Sequence, residues 1–122
     1  MDIMKAMAID WTEEFPGAVT VCDEKGVILS MNRAAGETFK KHGGAGLVGK
    51  NVLDCHPEPS RSLVASLLES PRANTYTIEK QGVKKLIHQA PWFKDGRFAG
   101  LVELSIVIPD KMAHHVRREK PS

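Results

Sequence analysis

The sequence predicts an α+β domain in which a five-stranded antiparallel sheet carries short helices on one face. Two strand-like runs come early, three come late, and apolar residues at helical spacing fill the stretch between them. Turns containing glycine join neighbouring strands, which is typical of antiparallel hairpins. Because 122 residues amount to one domain, we expect a single shared core.

The first segment, 1–14, is predicted to be an amphipathic helix. Ile3, Met4, Met7 and Trp11 recur every three or four residues and define one apolar stripe. A helix this short is marginal alone and must bury its stripe against something. Two interpretations stay open: the helix covers its own domain, or it forms a homodimer through Met4, Met7, Trp11 and a sheet face.

The first hairpin is predicted to join strands at 18–23 and 27–31, with Gly26 in the turn. Asn32 follows as the expected N-cap of a helix that contains Phe39 and ends near 43–44, where two glycines suit a C-cap.

Two further helices are predicted before the chain returns to β structure. A short one is expected over 49–56, ended by Pro57 and Pro59. Another is expected from Ser60, a candidate N-cap, because the next apolar residues have helical spacing: Leu63, Val64, Leu67 and Leu68.

The last part of the chain is predicted to form strands over 74–80, 83–92 and 99–108. In the most apolar of these, Leu104 shares one face with its alternate neighbours, and Glu103 and Ser105 are expected on the other, half-exposed face. For the strand 83–92, alternation does not decide whether His88 or Ile87 points inward.

Composition excludes several classes of protein. The net charge is +2, from 17 Lys+Arg against 15 Asp+Glu, so we expect no nucleic-acid partner. No run approaches the roughly 20 apolar residues of a membrane span, and Asp2 and Asp10 interrupt any signal-like stretch. Cys22 and Cys55 form no zinc or redox pattern, which favours a reducing, cytoplasmic setting.

Several short segments follow one another at a regular spacing: FPGAV at 15–19 with DEKG at 23–26, MNRAA at 31–35, LVGKNV at 47–52, and the hairpin from 90 to 102. In this order and at this spacing, the segments resemble the PAS domain. The resemblance covers 15–108, leaves 1–14 as a separate helix and 109–122 as a tail, and implies a sensor or interaction module. A helix starting near Asp110 is one expectation for that tail.

The segment CHPEPS at 55–60 resembles a subgroup of small bacterial PAS proteins, some of them proposed to bind haem. Ile108-Pro109-Asp110 stands where many PAS domains carry Asp-Ile-Thr before a coupling helix. We therefore expect a stand-alone sensor that acts through a dimer or an unidentified signalling protein.

His56 is the most informative candidate residue, because the resemblance places its helix beside the ligand cavity. Its imidazole could ligate haem iron, or its ring N–H could cap a helix carbonyl, and we favour the second because no second axial ligand is evident. The full set expected to line the cavity is Leu53, Cys55, His56, Leu67, Tyr76, His88 and Leu104.

The sequence offers no catalytic constellation, so we do not expect an enzyme. The leading hypothesis is a PAS sensor that binds a small, mostly apolar ligand or cofactor in its core. The alternatives are a ligand-free dimerisation or interaction module, and a haem-based gas or redox sensor in which His56 is the metal ligand.

Overall fold

The computed structural model describes residues 9–119, and its sheet contains five strands. The strands are β1 (Ala18–Cys22), β2 (Ile28–Met31), β3 (Asn74–Lys80), β4 (Val83–Lys94) and β5 (Arg97–Ile108). Between β2 and β3 lie helices α1 (Arg33–Thr38) and α2 (Ser60–Glu69), with short 3-10 helices at Lys40–His42, Gly44–Leu47 and Val52–Cys55.

The sheet has the strand order β2-β1-β5-β4-β3, and every pair is antiparallel. The helical segment therefore carries the chain from one edge of the sheet to the other. This arrangement confirms the predicted α+β class and five-stranded antiparallel sheet.

Asn32 holds the start of the domain together. Its Oδ1 accepts hydrogen bonds from the backbone N–H groups of Ala35 (3.0 Å) and Val19 (2.9 Å), so it caps α1 and is tied to β1. Its Nδ2 donates to the carbonyls of Gly17 and Thr12, both at 2.8 Å. The predicted N-cap is thus confirmed, and this buried amide also fixes the approach to β1.

The helix predicted over 49–56 is shorter than expected. The Gly49 N–H donates to the Ile28 carbonyl, the Ile28 N–H donates to the Lys50 carbonyl, and Asn51 bridges to Val27. Since these backbone groups pair with the edge of the sheet, only Val52–Cys55 turn into a 3-10 helix.

Ser60 does not cap α2, contrary to the sequence prediction. Pro59 occupies the N-cap position without a side-chain bond. The Glu58 carboxylate instead accepts hydrogen bonds from the N–H and hydroxyl of Ser62. An acidic side chain suits the positive end of a helix, so it performs the role that the sequence reading gave to Ser60.

The core lies between the sheet and the helical segment. Leu67 of α2 is fully buried and belongs to a cluster that spans both layers. The other buried members are Cys22, Ile28, Leu47, Val52, Val64 and Leu101.

The ends of the chain add no regular element to the described structure. The stretch 109–119 contains no helix or strand, so the helix considered near Asp110 is not found there. Of the predicted 1–14 helix, residues 9–14 are not helical, whereas Met4 and Met7 lie outside the described residues. None of the described helices has the length and hydropathy needed to cross a membrane.

Candidate functional site: two adjoining cavities

A small cavity of about 50 Å³, here called the inner cavity, lies between the sheet and the helical segment. Most of its wall is apolar, from Cys22, Ile28, Met31, Phe39, Leu47, Val52, Val64, Leu101 and Val102. Its polar wall comes from Thr20, Cys55, His56, Gln89 and Glu103. A mostly apolar wall with a few converging polar groups is typical of small-molecule sites, but a volume of about 50 Å³ has room only for a very small ligand.

The polar groups on the sheet side form an ordered row across three strands. Strand register places Asn74 opposite Gln89, and Gln89 opposite Glu103. Asn74 Nδ2 donates to Gln89 Oε1 at 3.0 Å, and Gln89 Nε2 donates to Glu103 Oε2 at 2.8 Å. Gln89 is only 5% exposed, so these bonds fix its amide and hold the Glu103 carboxylate in one orientation.

A second cavity of about 220 Å³, the outer cavity, continues along the same face of the sheet. Its further wall includes Tyr76, Ile78 and Lys85. Four residues line both cavities: Thr20, Phe39, His56 and Glu103. We call these four the junction, because a ligand that reaches from one cavity into the other must pass them.

The imidazole of His56 is held at the junction by a hydrogen bond to a backbone carbonyl four residues earlier in the chain. Its Nδ1 lies 2.7 Å from the Val52 carbonyl oxygen. Because that oxygen can only accept, Nδ1 carries the proton, and Nε2 is left to face other partners. This is the carbonyl contact that the sequence reading favoured for His56.

Haem does not fit the site in this conformation. The Nδ1 bond of His56 would suit a metal ligand, since such histidines commonly donate their other ring N–H to a carbonyl. The inner cavity, however, is far below the roughly 300–1,000 Å³ of ordinary cofactor pockets. As for a bare metal ion, no group of three or more His, Cys, Asp or Glu side chains within residues 9–119 is arranged to hold one.

The two cysteines share the wall of the inner cavity but differ in environment. Burial raises the pKa of the Cys22 thiol, with smaller contributions from the charges of Asp23 and Glu103. Cys55 is exposed, and its Sγ lies 3.6 Å from the Asn51 carbonyl. Cys22 is therefore a protonated core residue, and Cys55 is the accessible thiol.

Three other predicted site residues lie near the inner cavity but not in its wall. Leu67 is buried in the core cluster, and Leu53 packs against that cluster. Tyr76 lines the outer cavity, where partial burial raises its pKa and the negative charge of Glu103 adds to the shift.

His88 and Leu104 lie on the opposite face of the sheet, so their assignment to the cavity was wrong. They pair across β4 and β5, and their sequence neighbours Gln89 and Glu103 line the inner cavity. Successive strand residues point to opposite faces, so both residues point away from the helices. His88 Nδ1 instead lies 2.7 Å from the Thr75 hydroxyl.

The polar residues that the sheet contributes to the site were not predicted from the sequence. Glu103 had been assigned to a half-exposed face, and Thr20 and Gln89 had not been considered. A signal was present, because Glu103 interrupts the most apolar strand of the sequence at a position that pairs with Gln89 in the antiparallel hairpin.

Comparisons with known proteins identify the fold. No model of a known protein family matches the sequence, and no curated protein matches it. The PAS domain of BvgS from Bordetella pertussis is similar in structure, with a TM-score of 0.60 and 21% identity over 91% of this chain and 90% of that one.

Two further solved structures show the same likeness. The Aer2 receptor from Vibrio cholerae, described as a dual PAS-heme oxygen sensor, has a TM-score of 0.55 and 20% identity over 76% of this chain and 95% of that one. The PAS domain of the histidine kinase ThkA has a TM-score of 0.58 and 18% identity over 74% of this chain and 97% of that one.

The sheet order, the helical crossover and these similarities define the class of protein: an α+β domain with the PAS fold. The resemblance inferred from the sequence segments is thereby confirmed. At these levels of identity, the likeness establishes the fold.

Proposed function

We propose that this chain is a sensor domain that binds a small, mostly apolar ligand between its helices and its sheet. The observation that carries the proposal is the junction, where His56 and Glu103 converge at the boundary of an apolar inner cavity. The comparison proteins include a receptor and a histidine kinase, which supports a role in signal transduction.

The proposed signal passes through β5. Glu103 and Leu101 face the ligand site, whereas Leu104 and Ile106 face the other side of the same strand. A ligand that favours one arrangement of the Glu103 side chain therefore also favours one arrangement of β5, and with it of the residues on the other face of that strand. Since a ligand shifts populations only through differential affinity, the readout depends on a partner that distinguishes the two arrangements.

The open sheet face is the surface proposed for that partner. We define it by Leu86, His88, Leu104 and Ile106, which pair across β4 and β5 and are half-buried. Ile106 and the Phe15 ring both border the space in front of Gly17. The segment that leads into β1 therefore lies against this face of the sheet.

Trp11 extends that apolar edge. Its ring packs edge-on against Phe15 at a centroid distance of 5.6 Å, yet Trp11 is 60% exposed. A second copy of the chain, or a signalling protein, would bury this indole. The sequence prediction of a homodimer through Met4, Met7, Trp11 and the sheet face is thus retained as a proposal.

The same surface supports the alternative function, a ligand-free interaction module. In that case the inner cavity is only a packing defect, and association is the whole activity. Deletion of residues 1–11 then abolishes association while the fold persists, since the Asn32 contacts begin at Thr12. A dimer that survives the deletion would contradict the N-terminal contact.

A haem sensor is the third candidate, supported by the description of Aer2 and by the His56 tautomer. It requires an enlarged cavity. Haem-loaded protein with a Soret band that disappears in His56→Ala would establish it. Absence of a Soret band after incubation with haem would exclude it.

We further propose a non-enzymatic, cytoplasmic role. Cys22 is protonated in the core, and within residues 9–119 neither cysteine is in a disulfide. A protonated thiol is a poor nucleophile, and free thiols suit a reducing compartment.

Native mass spectrometry of the protein as purified tests the leading proposal. A mass above 13.4 kDa per subunit, lost on denaturation, would reveal a bound molecule and narrow its identity. The bare subunit mass would favour the interaction module. The same spectrum counts subunits and so tests the proposed dimer.

A further inference from the structure

We propose that the junction binds the amino group of a small organic cation, with the Glu103 carboxylate as its counter-ion. The inference rests on the proposed ligand-binding function and names the chemical class of the ligand. It follows from the hydrogen-bonding capacity that the junction side chains leave unused.

Two polar groups at the junction keep a hydrogen-bonding position free. Gln89 occupies Glu103 Oε2, and within residues 9–119 the second oxygen, Oε1, has no hydrogen-bond partner. His56 uses Nδ1 on the Val52 carbonyl, and Nε2 has no partner among the same residues. A ligand that satisfies Glu103 Oε1 must donate a hydrogen bond, so a carboxylate or phosphate is disfavoured.

Charge points the same way. Glu103 is half-buried and forms no ion pair with any of residues 9–119, where the single salt bridge joins Arg33 to Glu14 on the surface. A bound cation would supply the missing counter-ion and make a charge-assisted hydrogen bond with the carboxylate.

Among residues 9–119, Lys85 is the one Lys or Arg in the walls of the two cavities, and it forms no ion pair with Glu103. It lies four residues from Gln89 along β4, which separates the two backbone positions by about 13 Å at the strand rise. The Glu103 carboxylate is therefore left without a counter-ion among these residues.

The junction favours a primary amine over other cations. A protonated primary amine offers three donors, of which one suits Glu103 Oε1 and another the Thr20 hydroxyl oxygen, and both residues line the two cavities. Phe39 lines both cavities and supplies an aromatic ring near the charge. The larger outer cavity, bordered by Ile78 and Ile87, can take a short alkyl or aryl body.

The test titrates full-length ¹⁵N-labelled protein with butylamine, hexylamine and benzylamine at constant pH. Each amine is matched by the alcohol and the carboxylate of the same carbon skeleton. We expect amines to shift the backbone amides of Thr20, Gln89 and Glu103, and to bind about tenfold or more tighter than the matched alcohols. The carboxylates should bind more weakly than either.

Glu103→Gln replaces the free carboxylate oxygen by an amide without changing shape. It should remove the preference for amines while the spectrum still shows a folded protein. Glu79→Gln, on an exposed position of β3, is the matched control and should keep the preference.

Three outcomes would overturn the inference. Amines that bind Glu103→Gln as tightly as wild type would show that Glu103 is not the counter-ion. Tighter binding of the alcohols or carboxylates would exclude a cation and leave the ligand-binding function in place. If no amine shifts these amides, the cation inference is wrong, and the native mass spectrum decides the ligand-binding function separately.

Discussion

The side-chain amide of Gln89 donates a 2.8 Å hydrogen bond to the Glu103 carboxylate across strands β4 and β5. Asn74 donates in turn to the Gln89 oxygen, so three side chains form one directed chain of hydrogen bonds. These hydrogen bonds end on the carboxylate of Glu103, a residue that lines both cavities. The sheet therefore contributes a row of hydrogen-bonded polar side chains to the wall of an otherwise apolar inner cavity.

Removing the middle of that chain should destabilise the fold more than removing its end. Gln89→Leu leaves the Asn74 amide and Glu103 without their partner, and we expect the free energy of unfolding to fall by about 1–3 kcal/mol. Asn74→Ala removes one donor from a half-buried position and should cost less. Urea denaturation measures the free energy of unfolding of both variants. An equal loss, or a larger loss in Asn74→Ala, would contradict the row of hydrogen bonds described for these three side chains.

Asn32 should be the most sensitive asparagine. Asn32→Ala removes the cap of α1 and leaves buried backbone groups of Val19 and Gly17 unpaired, at a cost of about 2–4 kcal/mol. Asn51→Ala, which removes the cap of a half-buried 3-10 helix, should cost about 1 kcal/mol. Equal losses in urea denaturation would show that the Asn32 contacts to β1 contribute little.

Gly100 sits where β5 passes the end of β1, at φ +142°. A Cβ there would collide with the Cys22 carbonyl and with Asp23, so Gly100→Ala should cost about 2–4 kcal/mol. Gly46→Ala is the control, because its Cβ would meet no atom within 4 Å. It should change stability by less than about 0.5 kcal/mol. Thermal unfolding that ranks the two variants equally would contradict the close approach.

Alkaline pH should weaken the fold through Cys22. Burial raises the folded-state pKa of the Cys22 thiol above its ordinary value of 9.0, so the stabilising contribution is present below that value and is lost as pH rises towards the folded-state pKa. Urea denaturation should therefore show stability falling above about pH 9 in wild type, and falling less in Cys22→Ala. Burial also raises the pKa of Tyr76 above its ordinary value of 10.0. Stability should therefore decline further above about pH 10, and Tyr76→Phe should remove that further decline.

Thiol labelling provides an independent check of the same environments. At neutral pH, a thiol reagent should modify Cys55 rapidly and Cys22 only after unfolding. Rapid labelling of two thiols in the native protein would contradict the buried position of Cys22.

The sequence was most informative where local chemistry decides the structure. Asn32 was recognised as a cap because asparagine before a run of helix formers has a defined hydrogen-bonding role. The carbonyl contact of His56 followed from its position at the end of a short helix. The strands were found because glycine turns separate them, as at Gly26 and Gly96.

The face of the sheet that meets the helices could not be read from alternation. Period-two patterning shows that Leu104 shares a face with Ile106, but not which face is covered. We assumed that the more apolar face is inside. In the structure that face is the open one, and Glu103 is tolerated beneath the helices because Gln89 bonds it and the cavities adjoin it.

The central claim, a ligand site in the inner cavity, is tested most directly by blocking that cavity. Val64 lines it from α2, and Leu63, its neighbour on the same helix, is 37% exposed and is not among the lining residues. Native mass spectra of wild type, Val64→Phe and Leu63→Phe, purified identically, should show a bound mass in wild type and Leu63→Phe, and bare subunits in Val64→Phe. An equal bound mass on folded Val64→Phe would contradict a site in the inner cavity, because the ligand would then lie outside it, in the outer cavity or elsewhere.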